Sequence, residues 1–194
     1  METPAHRIPS DYSAEERTAL LQLARASIAA ELAKSRLSVT APNPHLLEPR
    51  GAFTTLHLNG GLRGCIGFIE PLYPLWETIQ QTSRAAAFQD PRFPPLTADE
   101  LPYMQLELSI MSLLRPISAE DVIVGVHGLL VSQDGHRGLL LPQVAPEWEW
   151  DRETFLSQTC VKAGLPPDAW QKGAQLEAFT AEVFGEINSF RNSI

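Results

Sequence analysis

"AFTTLHLNGGLRGCIGFI", residues Ala52–Ile69, is the stretch that decides the architecture. Ala52–Leu58 is β-branched and aromatic enough for a strand, and Asn59-Gly60-Gly61 is the residue choice of a tight hairpin turn. Leu62–Ile69 is then the return strand, and so short a connection makes the pair antiparallel. In an unbroken strand Arg63 and Cys65 point to one face, and Leu62, Ile66 and Phe68 to the other. Gly64 and Gly67 weaken a strand unless a bulge or a close approach requires them. The segment therefore reads as a strand whose backbone something must come near.

Outward from this hairpin, strands and helices are mixed. Upstream, Ser13 and Glu16 form a capping box, and Leu20, Leu21, Ala24, Ile28 and Leu32 recur at helical spacing. Thr40–Arg50 is punctuated by prolines and reads as a loop. Downstream, Pro71 and Pro74 suit a helix start, with Leu72, Leu75, Trp76, Ile79, Ser83 and Ala86 on one stripe, ended by "QDPRFPPL". Met104–Leu114 alternates with period two: Met104, Leu106, Leu108 and Ile110 face a core, Gln105, Glu107 and Ser109 the other side. A second hairpin turns at Asp134-Gly135 between "GLLVSQ" and "HRGLLL". Asp151 caps a helix in which Leu156, Cys160 and Ala163 align and Gly164 is the stop. "LEAFTAEVF", residues 176–184, alternates again and reads as one strand. Hairpins and helices without regular strand–helix alternation predict an α+β fold with mainly antiparallel sheet.

The chain has 194 residues, enough for one well-cored domain, and its net charge of -8 with no Lys/Arg run disfavours nucleic acid as a partner. Two distant cysteines, without CxxC or a Cys/His cluster, exclude a disulfide framework and argue against a zinc site; no metal ligands are assigned. "METPAHRIPSDYS" lacks the basic-then-apolar order of a signal peptide, and no apolar run reaches the ~20 residues of a membrane helix. The expectation is a cytoplasmic protein without a membrane partner.

Cys65 is the sharpest chemical candidate. Arg63 on the same strand face favours a thiolate or holds an anionic group, and N–H groups freed at a glycine-rich bulge at Gly64 and Gly67 can bind an anion. The competing reading is a small buried packing residue, which cysteine commonly is. Cys160, on an apolar helical stripe, reads as core. A base for Cys65 comes from His57, His127 or His136, and hairpin register decides whether His57 meets it. Glu107 and Ser109 oppose a core face and so line either a polar cleft or solvent. Glu70 is either a base or a salt-bridge partner, and Trp148 and Trp150 either stack a planar ligand or pack in a core. GxGxxG, P-loop, GxSxG and HExxH signatures are absent, so no cofactor is assigned.

Together, "LRGCIG", "FQDPRFPPL", "ELSIMSLLRPI" and "HRGLLLPQVAPEWEWDRETFLSQTCVKAGLPPDAW" resemble the AMMECR domain family, called protein A of the AmmeMemoRadiSam system in bacteria. The resemblance runs from about Asp11 to Phe190, and the hallmark hexapeptide is intact at Leu62–Gly67. It implies a single α+β domain over residues 1–194 in two unequal lobes, the larger holding both chain ends, with a cleft between them lined by the family's motifs. That cleft agrees with the reading of the residues themselves, which expects a small polar ligand with Cys65 and Glu107 as catalytic candidates and Arg63, Gly64, Gly67, Ser109 and His127 as ligand contacts. The resemblance also implies a pathway shared with Memo-type and radical-SAM proteins. It supplies no established reaction, and a non-catalytic adaptor for a pathway protein is the other expectation.

Overall fold

The computed structural model describes residues 11–186. Met1–Ser10 of the stretch read for a targeting signal, and residues 187–190 of the resemblance, lie outside them. The elements are α1 (Ala14–Leu32), β1 (Ala52–Leu58), β2 (Gly61–Phe68), α2 (Leu75–Phe88), β3 (Met104–Met111), β4 (Arg115–Pro116), β5 (Gly128–Gln133), β6 (His136–Leu140), α3 (Val144–Glu147), α4 (Arg152–Lys162), β7 (Gln175–Phe179) and β8 (Ala181–Gly185). Helices and antiparallel strands are both prominent, and the protein is α+β. The chain forms two compact units, one ending at Ile110 and resuming at Glu182, the other Met111–Ala181. Among the described residues no helix is long and apolar enough to cross a membrane.

In the first unit the sheet order is β2-β1-β3-β8. Its hairpin turns at Asn59 and Gly60, with φ of 52° and 78° as a two-residue turn of this kind requires. α1 starts where the capping box places it: the Ser13 hydroxyl accepts from Glu16 N–H, and the Glu16 carboxylate accepts from Ser13 N–H. Such a cap stabilises a helix by about 1 kcal/mol. The buried face of α1 is Leu20, Leu23, Ala24, Ser27 and Ile28, with Leu21 half-buried against the same core, so Leu23 joins the stripe read from the sequence. α2 begins at Leu75, and Leu72 is 62% exposed, outside the helical stripe expected to include it. Pro74, extended at ψ 140°, sets that later start. The proline-rich loop contains a short 3-10 turn, Pro44–Leu47, because Asn43 caps Leu46 N–H and Pro44 supplies a helical φ.

β1 and β3 bury Ala52, Thr54, Leu56, Leu106, Leu108 and Ile110 against the helical layer, each side chain of this size contributing ~1–3 kcal/mol where it is aliphatic. Thr54 is accommodated because its hydroxyl meets Thr82 Oγ1 at 2.9 Å and Ser83 Oγ at 3.3 Å, both on α2. The second unit has sheet order β4-β7-β5-β6, with Leu129, Phe155, Leu156 and Ala178 in its core. Its hairpin turns at Asp134-Gly135 and Asp151 caps α4 through Thr154 N–H, as the sequence predicts. One expectation is overturned: residues 176–184 are not a single strand. The chain breaks at Thr180, so that β7 pairs with β5 while β8 joins the first unit's sheet beside β3. Thr180 bonds Ser112 through both its N–H and its C=O at 2.9 Å, which diverts the strand there.

Candidate functional site

The register of the first sheet decides which side chains meet. Cys65 stands opposite Thr55, and Thr55 stands opposite Glu107 on its other side. Residues paired across a sheet project to one face, so Cys65, Thr55 and Glu107 form a row over three strands. Phe53 lies between Gly67 and Ser109 one rung along, and His57 is opposite Gln105. All of these are half-buried, on the face turned away from α2. Among the described residues the Glu107 and Ser109 side chains have no hydrogen-bond partner. With neighbouring strands ~4.8 Å apart, Cys65 and Glu107 are separated by roughly 10 Å, the span of a small ligand laid across Thr55.

Cys65 is held from both sides. Its thiol receives the Thr55 hydroxyl at 3.3 Å. Its backbone N–H donates to Asp90 Oδ2 at 2.9 Å, and its carbonyl accepts from Arg92 Nη2 at 3.3 Å. β2 is an edge strand, and these two groups point off its free edge. Asp90 and Arg92 thus occupy the position of a further strand, satisfying a donor and an acceptor that an open edge leaves bare. The same orientation makes Cys65–Thr55 a non-hydrogen-bonded pair, in which side chains stand closer, and this explains the hydroxyl–sulfur contact. Asp90 and Arg92 also pair directly, at 2.9 Å from Arg92 Nε and 2.7 Å from Nη2. Those bonds, chiefly, and that from Cys65 N–H hold the Asp90 carboxyl well below the usual carboxylate range. Arg92 is raised in turn, mainly by Asp90, with Cys65 contributing.

Arg63 is placed differently from expectation. Leu56 pairs with Gly64 but His57 with Leu62, so Arg63 is the extra residue of a β-bulge. Its guanidinium is nearly buried and grips Glu100, Nε at 2.8 Å and Nη2 at 3.1 Å, with Nη2 also 3.4 Å from Pro95 O. The Arg63 bonds lower the Glu100 carboxyl to about 2. Nη1 is buried without an acceptor among the described residues. The cation beside Cys65 is therefore Arg92, not Arg63.

The two glycines answer to packing. A Cβ on Gly64 would lie 2.2 Å from Ala86 O, so its bare Cα admits α2; it faces the helix, opposite to Cys65. A Cβ on Gly67 would lie 2.3 Å from Ala52 O and 2.5 Å from the Phe53 ring. His57 does not share the Cys65 rung. His127 and His136 belong to the second unit. There His127 Nδ1 accepts from Ile123 N–H at 3.1 Å, burial lowers its pKa, and His136 is exposed. Glu70 is exposed beyond β2. Cys160 is fully buried on α4, and burial pushes its thiol up. Sequence reasoning missed Thr55, Asp90, Arg92 and Glu100. The "QDPRF" stretch carried the signal, an acid and a base straddling a proline just after a helix.

The AMMECR1 family profile matches residues 21–184, most of the chain and all of this site. The chain belongs to the AMMECR1 family. Among its relatives, a protein of Methanothermobacter thermautotrophicus is 41% identical over 90% of this chain and 96% of its own length. Protein MJ0810 of Methanocaldococcus jannaschii is 39% identical over 89% of this chain and 91% of its own. The crystal structure of uncharacterized protein PH0010 from Pyrococcus horikoshii is similar at a TM-score of 0.69 and 40% identity, covering 89% of this chain and 92% of that one. The solved structure shares the fold of this chain, and none of the three carries a named activity.

Proposed function

We propose that this AMMECR1-family protein binds a small polar ligand on the sheet face carrying Cys65, Thr55, Glu107 and Ser109, with Cys65 as the reactive centre. The observation that supports it most is the row Cys65–Thr55–Glu107, half-buried opposite the helical layer, with the Cys65 backbone clamped by Asp90 and Arg92. The clamp closes the edge of β2 and also fixes the Cys65 backbone, as a nucleophile that must be held close to its reacting geometry requires. Glu107 is the proton-accepting group, acting on the ligand rather than on the thiol, given their separation. In this reading the protein acts with Memo-type and radical-SAM proteins, as the family resemblance implies, and in the cytoplasm, to which its two distant cysteines point.

The test is alkylation of each cysteine with iodoacetamide, read by peptide mass spectrometry on folded and unfolded protein. Cys65 is expected to react in the folded protein, and Cys160 only after unfolding. Cys65→Ala is expected to abolish turnover with the partner proteins while leaving the fold intact. Reactivity of Cys65 only on unfolding refutes the reactive-centre role.

A second reading has one observation behind it: Gly64 and Gly67 are both consumed by close packing against α2 and Phe53. The hexapeptide then serves as a packing element in a non-catalytic adaptor. In that case Cys65→Ser and Cys65→Ala both preserve partner binding and pathway output.

A further inference from the structure

The segment Glu147–Glu153 of the second unit takes no part in the sheet site, and it holds an arrangement that packing does not require. Trp148 and Trp150 stack, with ring centroids 6.1 Å apart and planes 23° apart. Between them Glu149 has φ 54°, the left-handed region that a non-glycine residue enters at a cost. That turn sets the two indoles side by side. Trp150 packs against the core around Val122 and Phe155, whereas Trp148 is 68% exposed. One indole is therefore anchored and braces a second whose outer area stays in water, forgoing the burial that usually makes tryptophan worth having in a core.

Within the segment carboxylates outnumber the cation. Glu147, Glu149, Asp151 and Glu153 are all exposed. The single cation in the segment, Arg152, turns away and donates to the Glu120 carbonyl at 2.6 Å, bringing that acidic turn alongside. An open indole face attracts cations through its quadrupole, tryptophan best of the aromatics, and neighbouring carboxylates add to the same preference. We propose that Trp148, with these four carboxylates, is a docking site for an arginine- or lysine-bearing segment of a partner protein. The occupant is a segment rather than a small quaternary ammonium, because one braced ring is not a cage and the carboxylates extend along the chain on both sides of it. Tryptophan and arginine are also the residues that dominate protein interfaces energetically. This site is independent of the Cys65 reading.

The experiment uses the full chain and a fluorescein-labelled peptide of alternating glycine and arginine, about ten residues long, followed by anisotropy at low salt. An alternating glycine–glutamate peptide is the control, and circular dichroism verifies the fold of each variant. The arginine peptide is expected to bind and the glutamate peptide not to. Trp148→Ala is expected to weaken binding roughly fivefold, the scale of one exposed cation–π contact, and Trp148→Phe by less. Glu147→Gln with Glu149→Gln is expected to weaken it with the ring intact. Binding unchanged in Trp148→Ala, or equal binding of both peptides, overturns the proposal; release of the peptide by millimolar tetramethylammonium alone overturns the choice of a segment over a small cation.

Discussion

Replacing Gly64 by alanine isolates a single steric relation. The backbone of Gly64 is not left-handed, so alanine suffers no conformational penalty there. The new Cβ instead meets the Ala86 carbonyl oxygen of α2 at 2.2 Å, about 1.2 Å short of ordinary contact, and the carbonyl carbon at 3.1 Å. The obstacle is helix backbone, so no side chain can swing aside. α2 must withdraw, loosening Ile79, Ser83, Ala86 and Ala87 from the sheet. Overpacking of this kind costs ~1–3 kcal/mol, and a backbone-on-backbone clash belongs at the upper end. Loss of glycine's unfolded-state freedom returns ~0.4–1 kcal/mol. The net is roughly 2 kcal/mol, a fall in Tm of about 4–8 °C for a chain of this size. Gly60→Ala is the contrast, since nothing lies within 4 Å but φ is 78°; it loses stability through backbone strain alone and leaves α2 in place. Calorimetry with urea titration reads both. A Gly64→Ala protein within 2 °C of the parent, read against that ~4–8 °C expectation, refutes the close-approach account of "LRGCIG".

Other outcomes follow from the same geometry. Glu100→Ala removes the bidentate partner of a nearly buried guanidinium and is expected to cost ~2–4 kcal/mol by chemical denaturation; Arg63→Met with Glu100→Leu should cost less, because no charge is left unpaired. Glu100 is lowered to about 2 by Arg63; for Glu16 burial opposes, but the hydrogen bonds from Ser13 N–H, His45 and Asn43 outweigh it and also give about 2. Asp90 is lowered too. Folded values below unfolded ones mean that this stability is fully present above pH ~4.5 and is lost as pH falls from there toward 2. The urea midpoint should drop across that window, with a smaller drop in Glu16→Gln, and a midpoint flat below pH 4.5 contradicts the assignment. Arg92→Gln releases the Cys65 carbonyl and unpairs Asp90, so amide exchange at Cys65 should accelerate while that at Leu108, in the middle of β3, stays unchanged.

Most of the framework was legible because it is encoded locally. The hairpin at Asn59-Gly60, the capping box at Ser13 and Glu16 and the alternation of Met104–Ile110 each depend on residues a few positions apart, and each is found where the sequence puts it. Glu107 and Ser109 were legible as a polar face for the same reason. Three things were not. The bulge at Arg63 follows from the fit of the guanidinium to Glu100, 37 residues away, and it breaks the simple alternation that paired Arg63 with Cys65. Thr55 and Cys65 meet through register, and Asp90 and Arg92 reach Cys65 through the path of the chain after α2. The split at Thr180 leaves no local mark, because the alternation runs through it unbroken while the two halves join different sheets. The sequence by itself determined most of the elements, the α+β class and the family, since turn chemistry, capping and periodicity are short-range. Only the tertiary structure decided what surrounds Cys65, because its neighbours come from three separate segments whose meeting is set by packing and hydrogen bonding over long loops.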